Sequence, residues 1–460
     1  MMGKETQIIR TINPFNEEII AEYTEHSEKQ LITFIEHLNK GYKSWRSCSL
    51  QERLNFLPLL KHALLEEKEN LAKLITDEMG KPITQSFAEV EKCMLLCDYY
   101  HENSAQFLVD INVKTSYSKS YYQYSPLGII LGIMPWNFPL WQVMRFTIPN
   151  LVLGNGILLK HAPNTTGTSL AIEKLISKIF PNNIFKSIIV DIPIIAKILS
   201  HNLIAGVSIT GSKKAGSSVA KHAGENIKKS VLELGGNDPF IVFDDADIED
   251  AAHQCIESRL LNSGQVCVAA KRIILSQNIA VEFEELLIES LKKISLGSPY
   301  LKSNKVGPLA RTDIKQNLKL QVKQAIAAGA KSIFESKVPN NKGFFFPITV
   351  LKNILPSNIA FQQELFGPVF CITEACNNKE AIELANQSEY GLSASIFSKN
   401  LEQAEKICQN ELEFGMCSIN KMVASNPQLP FGGIKSSGFG RELAEFGLKE
   451  FANIKTILIN

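Results

Sequence analysis

The chain has 460 residues, 45% of them hydrophobic and 21% charged, and a net charge of +1. That length exceeds what one compact core organises, so two or more domains are expected. The near-neutral balance of interleaved Lys, Glu and Asp predicts neither nucleic-acid nor membrane-surface binding.

The amino terminus (Met-Met-Gly-Lys-Glu-Thr) is polar and has no apolar signal region. Helices are predicted over 27–110, where Leu31, Phe34, Ile35 and Leu38 recur at helical spacing. Leu54, Leu57, Leu60 and Leu64 repeat the pattern, as do Leu71, Leu74 and Ile75. Residues 115–125 are rich in Tyr, Ser and Thr with little aliphatic bulk, which suits a projecting strand or hairpin.

From Gly128 to about Gly236 strand and helix alternate. Buried strands are expected at Gly128–Met134 and Gly156–Lys160, a helix at 164–179, strands at Phe185–Val190 and Gly206–Thr210, and a helix near 213–223. This alternation predicts a parallel sheet covered on both faces, with a nucleotide at the carboxyl ends of its strands. A second α/β run starts at Pro239-Phe-Ile-Val-Phe. It continues through a helix at Ile248–Leu261, helices near 280–294 and 313–329, strands near 344–351 and 369–373, and a helix at 379–386. A glycine-rich stretch at 431–440 and an alternating strand from Ile454 close the chain.

The nine cysteines are odd in number and irregularly spaced, and none forms Cys-x-x-Cys. That argues against a disulfide framework or a zinc site and for a reducing compartment, here the cytoplasm. The eight histidines have no metal-ligand spacing, so no metal is expected. No segment is long and apolar enough to span a membrane.

Cys267 lies in Asn-Ser-Gly-Gln-Val-Cys-Val, 34 residues after Glu233 in Leu-Glu-Leu-Gly-Gly. A thiol nucleophile with a glycine-flanked carboxylate upstream suits thioester chemistry: the cysteine attacks and the carboxylate activates water. The polar and glycine neighbours Asn262, Ser263, Gly264 and Gln265 predict an exposed loop, and attack at neutral pH calls for a lowered thiol pKa. Pro135-Trp-Asn-Phe-Pro139 follows a buried strand, and its Asn137 suits an oxyanion donor, although alone it also reads as a proline-rich turn. Lys160 ends the next strand, within reach of a ribose or phosphate. Thr210-Gly-Ser-Lys-Lys-Ala-Gly216 offers free helix amides to a phosphate but is not a G-x-G-x-x-G fingerprint. Glu364-Leu-Phe-Gly-Pro368 supplies an acid for ribose hydroxyls and an aromatic for a nicotinamide ring. Phe431, in the glycine-rich Pro430–Glu442 stretch, is a candidate wall for an aldehyde pocket.

Together these motifs resemble the aldehyde dehydrogenase superfamily over nearly the whole chain. The resemblance implies an α/β fold with a Rossmann-like coenzyme domain (1–112 and 127–235), an α/β catalytic domain (236–440) and a small β oligomerisation element (113–126 and 441–460). It implies catalytic roles for Cys267, Asn137 and Glu233. Cofactor contacts are implied at Pro135, Trp136, Lys160 and Pro163, at Gly211, Ser212 and Leu234, and at Glu364 and Phe366. The family's hairpin pairs with a neighbour's sheet edge, which implies a homodimer or homotetramer.

Arg145, eight residues after Asn137, resembles the succinate-semialdehyde dehydrogenase branch, where an arginine at this offset binds the substrate's far carboxylate. Ser425 matches a second carboxylate-contacting position. Two departures matter. Some members of that branch carry another arginine six residues before the nucleophile, where this chain has Leu261, and Arg259 is only close in sequence. NAD-selective relatives often carry an acid three residues after the strand-end lysine, where this chain has Pro163. Lys213 and Lys214 would add attraction for a 2′-phosphate, so use of both NAD and NADP is expected. The leading expectation is oxidation of succinate semialdehyde to succinate. Glutarate semialdehyde or an aliphatic aldehyde, a CoA-acylating reaction, and a non-catalytic relative are the alternatives.

Overall fold

The computed structural model describes residues 8–181, 183–339 and 342–460. Two sheets organise it. The first has six strands. Its parallel run, in spatial order, is Lys229–Glu233, Ile204–Thr210, Ile129–Met134, Gly156–His161 and Phe185–Ile188, and Gly438–Phe439 adds an antiparallel edge beside Lys229–Glu233. Alternate residues of each strand feed two cores, because side chains point to opposite faces. Ile130, Ile157 and Leu159 join the cluster of the helices Phe56–Glu66, Ile83–Phe107 and Trp141–Leu153. Leu131, Leu158 and Val207 join the cluster on the other face, with Leu31 and Ile35 of Glu28–Trp45.

The second sheet has seven strands, in the order Lys331–Glu335, Thr349–Lys352, Val369–Ala375, Arg272–Ser276, Pro239–Val242, Ser393–Phe397 and Met416–Ile419. All neighbours are parallel except the first pair. Its faces divide in the same way. Ile241, Ile274 and Ile396 enter one cluster, and Phe240, Val242, Ile273 and Phe397 the other.

Several boundaries differ from the sequence reading. The strand expected near 344–351 is Thr349–Lys352, since Phe344 and Phe345 belong to the loop that packs on Pro14 and Phe15. Gly438–Phe439 hydrogen-bonds to Leu232 and Glu233, so the glycine-rich stretch joins the first sheet rather than the second. Ala444–Lys449 packs on the helices Trp141–Leu153 and Ile83–Phe107, and only Ala452–Ile459 pairs with Lys119–Pro126. The hairpin Ile8–Ile12/Ile19–Thr24 carries no alternating apolar signal, because both of its strands are largely exposed. No described helix is long and apolar enough to cross a membrane.

Candidate active site

Four turns leave the carboxyl edge of the first sheet: Pro135–Asn137 after Met134, Ala162–Asn164 after His161, Gly211–Ser212 after Thr210, and Leu234–Gly236 after Glu233. This edge is where parallel α/β sheets bind nucleotides. The nucleophile loop, between the helix Ile248–Leu260 and the strand Arg272–Ser276 of the second sheet, meets it at Asn137.

That loop is not exposed, contrary to the sequence reading. Asn262, Ser263 and Gln265 are each 0% exposed. Apart from Asn262 Oδ1, which has no partner among the described residues, their side-chain polar atoms bond to backbone. Asn262 Nδ2 donates to Asn137 O at 2.7 Å, Ser263 Oγ donates to Gly307 O at 3.0 Å, and Gln265 Oε1 accepts from Ala310 N at 2.9 Å. Asn262, Ser263 and Gly264 take left-handed φ values of 52°, 56° and 79° in succession. Only the third has no Cβ penalty, so the two preceding residues are held by these bonds against their preference. A Cβ on Gly264 would collide with Gly367. The loop is thereby locked, with Cys267 at its end.

Asn137 is 4% exposed; its Nδ2 donates to Gln265 O at 3.0 Å and its Oδ1 accepts from Gln142 Nε2 at 3.2 Å. The side-chain amide is thus pinned beside the nucleophile loop with its second N–H uncommitted.

Cys267 lines a cavity of about 200 Å3 together with Phe138, Trp141, Val266, Val268, Met422 and Phe431, and with the polar Gln142, Lys92, Arg145 and Ser425. The helix Ile83–Phe107 contributes Gln85, Ala88, Glu89 and Lys92, one stripe at helical spacing. Burial pushes the Cys267 thiol up to about 11, with Lys271 and Arg145 opposing and Glu364 and Asp238 reinforcing it. The lowered resting pKa expected from sequence is therefore absent: the loop that positions the sulfur also strips it of water. Lys271, which sequence reading did not single out, donates to Cys267 O and pairs with Glu364 at 3.2 Å.

Glu233 does not line the cavity. It is 2% exposed, and neither carboxylate oxygen has a hydrogen-bond partner. A Cβ on Gly432 would lie 2.6 Å from its Oε1, so the glycine makes room for the carboxylate. Burial raises its pKa well above the ordinary carboxyl range and Glu442 adds to the shift, against Arg145 and Arg441.

Arg145 is 3% exposed and lines the cavity, but its Nε pairs with Glu442, its Nη2 is 3.4 Å from Thr210 Oγ1, and its Cζ stands 4.5 Å from the Phe431 ring centroid. Leu261 lines the cavity, whereas Arg259 turns away to donate to the carbonyls of Val369 and Leu365. Ser425 Oγ accepts from Lys92 Nζ at 2.6 Å. Lys92 is a contact the sequence reading missed. Its one signal was a charged residue beside the apolar stripe Val90, Cys93, Leu96 and Cys97.

The family model for aldehyde dehydrogenases matches residues 1–457. The chain belongs to the aldehyde dehydrogenase family. It is 42% identical to a succinate semialdehyde dehydrogenase of Escherichia coli described as using NAD(P)+, over 91% of this chain and 90% of that one. It is 39% identical to a probable NADP+ succinate-semialdehyde dehydrogenase of Synechocystis, over 98% and 99%. The crystal structure of a succinic semialdehyde dehydrogenase from Streptococcus pyogenes in complex with NADP+ superposes with a TM-score of 0.95 at 35% identity, covering 98% of this chain and 99% of that one. A betaine aldehyde dehydrogenase from Staphylococcus aureus in complex with NAD+ also superposes, with a TM-score of 0.94 at 31% identity over 99% and 92%. In this aldehyde dehydrogenase, then, the backbone alone does not select the aldehyde.

The strand-end residues fit the dinucleotide that this family implies. Ser212 caps the helix Lys213–Glu225, leaving its first-turn amides and two lysines toward the sheet edge with no acid in that turn. Gly216 sits so close to Leu234 that any Cβ would collide, which holds helix and strand together beneath that edge. Lys160 is 8% exposed, and Glu364 accepts weakly from Gly236 N at 3.4 Å. Trp136 and Phe366 meet edge-to-face at 5.7 Å. Pro163 is exposed and opens the short turn Pro163–Thr165, so no acid stands there to repel a 2′-phosphate. Lys213 is tied to Glu389, leaving Lys214 as the unpaired cation of that turn among the described residues.

Proposed function

We propose that this aldehyde dehydrogenase oxidises succinate semialdehyde to succinate and accepts either NAD or NADP. The observation that carries this is the charge of the small cavity over Cys267: two cationic side chains, Lys92 and Arg145, stand in an otherwise largely apolar wall. Glu89, the acid on that wall, is neutralised. It pairs with Lys81 and accepts from the amides of Leu140 and Trp141 at 2.9 Å. Such a cavity favours an aldehyde ending in a carboxylate and disfavours a quaternary ammonium one such as betaine aldehyde. The names of the curated relatives point the same way.

The chemistry follows from the residues. An aldehyde has no leaving group except hydride, so the carbonyl must first become an alkoxide. The Cys267 sulfur adds to the aldehyde carbon, and its proton must pass to a base. Asn137 offers its free N–H to the oxyanion, and its other bonds fix that aim before substrate arrives. A bound nicotinamide would supply the hydride acceptor that leaves an acyl thioester on Cys267. Glu233, whose carboxylate forfeits no hydrogen bond on moving, activates the water that cleaves the thioester. Glu233 also argues for hydrolysis over transfer to CoA.

Three further readings accompany this one. The exposed Ile454, Leu458 and Ile459 on the edge strand Ala452–Ile459 favour a homodimer or homotetramer built through that edge. Unpaired cysteines throughout the described residues favour the cytoplasm. The units 1–112 with 127–235, and 236–440, are proposed as the coenzyme and catalytic domains. The test of function is a panel of succinate semialdehyde, glutarate semialdehyde, butanal and betaine aldehyde, assayed with NAD and with NADP, with and without CoA. Succinate semialdehyde should give the highest kcat/KM and free succinate as product. Equal or better turnover of butanal would overturn the assignment.

A further inference from the structure

The helix Ile83–Phe107 reaches both halves of the reaction centre from one face. Gln85 and Glu89, one turn apart on it, line the cavity over Cys267. Gln85 Oε1 accepts from Asn262 N at 2.8 Å and so grips the nucleophile loop. Glu89 Oε1 accepts from the amides of Leu140 and Trp141, both at 2.9 Å, and so grips the chain just beyond Asn137. The nucleophile loop belongs to the second sheet and the Asn137 turn to the first, yet one helix holds both.

The Glu89 contact sits where the helix Trp141–Leu153 begins. A helix start exposes amides that have no partner within the helix, and the N-cap residue here, Leu140, has no polar side chain to offer them. Glu89 takes that role from a neighbouring helix, with a negative charge that suits the positive end of the helix dipole. Its other oxygen pairs with Lys81, whose ammonium stands 3.9 Å from the centroid of the Phe138 ring. The side chains of Lys81 and Glu89 are 0% and 1% exposed, and an ion pair so deeply buried contributes little net stability over apolar packing. What it does contribute is geometry. Gln142, in the first turn of the helix that Glu89 caps, donates to Asn137 Oδ1 at 3.2 Å. Contacts thus run from Lys81 to Glu89, to the helix start, to Gln142 and to the Asn137 amide.

We propose that Gln85 and Glu89 are positioning residues of the reaction: Glu89, held by Lys81, aims the Asn137 amide, and Gln85 sets the Cys267 loop against it. This rests on the reading of Cys267 as the nucleophile and Asn137 as the oxyanion donor. Neither Gln85 nor Glu89 has to touch the carbonyl. The donor must meet the alkoxide as it forms, and a misplacement of about 1 Å costs about 10²-fold in rate. Both grips are on backbone and both come from a single helix, so the nucleophile loop and the Asn137 turn keep their spacing before substrate arrives.

The test uses the full-length enzyme in single turnover, with enzyme and cofactor saturating over the aldehyde that the wild type oxidises best and the absorbance of reduced cofactor as the signal. At saturation the rate constant is independent of the fraction of folded enzyme. Glu89→Asp keeps the charge beside Lys81 and draws the carboxylate back by one methylene. It should slow hydride transfer by about tenfold or more, while the cofactor Kd, read by fluorescence titration, stays within about threefold. Gln85→Met removes the acceptor at similar bulk and should slow the same step by about threefold or more, which gives a second reading should Glu89→Asp fold poorly. On an Asn137→Ala background Glu89→Asp should cost less than about threefold, since no amide is left to aim. A larger loss there would show that Glu89 acts by another route and would overturn its role. A rate constant within about twofold of wild type removes Glu89 if found for Glu89→Asp, and Gln85 if found for Gln85→Met. If Asn137→Ala by itself keeps the wild-type rate, the oxyanion reading fails and the positioning role with it.

Discussion

Arg145 and Glu442 form a buried ion pair, 3% and 6% exposed at the side chain, through which Glu442 is joined to a residue that lines the cavity over Cys267. The pair joins the helix Trp141–Leu153 to the loop that follows the glycine-rich stretch, and it sits within the electrostatic reach of Glu233. Breaking it by removing one partner leaves a charge stranded in low dielectric. Arg145→Ala should therefore cost about 3–5 kcal/mol of stability, read by urea denaturation. It should also depress turnover of neutral and carboxylated aldehydes alike. A loss confined to carboxylated aldehydes would instead mark Arg145 as the substrate anchor.

Glu233→Gln separates the two halves of the reaction. Acylation of Cys267 needs no base at the later water, so the variant should give a burst of reduced cofactor near one equivalent per site, followed by steady turnover lower by about 10²–10⁴-fold. Rapid-mixing absorbance at 340 nm checks it. Undiminished steady turnover would remove Glu233 from the mechanism.

The same residue sets a pH dependence of stability. Burial raises its folded pKa far above the ordinary value of about 4.3, so the unfolded chain loses this proton first. Its contribution to stability is present below that ordinary value and is lost progressively as pH rises toward the folded pKa. Glu233→Gln removes the loss, so the variant should gain thermal stability relative to wild type as pH is raised from 5 to 9. A constant difference in Tm across that range would contradict the argument.

Cys267, with its thiol near 11, should be alkylated slowly by iodoacetamide at pH 7 in the free enzyme, and faster by about tenfold per pH unit up to that value. Lys271 lowers that pKa, so Lys271→Met should slow alkylation at every pH below it. Peptide mapping by mass spectrometry distinguishes Cys267 from the other thiols. Cys267→Ala should lose on the order of 10⁴–10⁶-fold in kcat.

On the proposed reading, the exposed Pro163 leaves a 2′-phosphate unrepelled. Pro163→Glu should lower kcat/KM for NADP by about tenfold or more while leaving that for NAD within a few-fold, because a carboxylate repels a 2′-phosphate and accepts from ribose hydroxyls. Lys214→Ala should act in the same direction more weakly. Parallel kinetics with the two cofactors decide the point.

The sheet-edge motifs were readable because each lies at or just after the end of a strand that positions it locally. Pro135, Trp136 and Asn137 follow Met134, Ser212 follows Thr210, and Leu234 follows Glu233. A buried strand followed by glycine, proline or a capping serine announces its own carboxyl end. The burial of Asn262, Ser263 and Gln265 was not readable. Polar residues beside a glycine look solvated until their partners Gly307, Ala310 and Asn137 are brought in from distant segments. The partners of the cavity cations were unreadable for the same reason. Arg145 has the expected offset along the chain, but only packing pairs it with Glu442 and brings Lys92 to Ser425.

By itself, then, the amino-acid sequence determined the α/β architecture, the positions of the candidate thiol, amide and carboxylate, and the absence of an acid at position 163. These follow from periodicity and from side-chain chemistry that neighbouring residues specify. Tertiary structure alone decided which charges pair and which thiol and carboxyl lose their water. Those are properties of desolvation and of pairing between segments far apart in the chain, and the interaction of two charges depends on their separation in space.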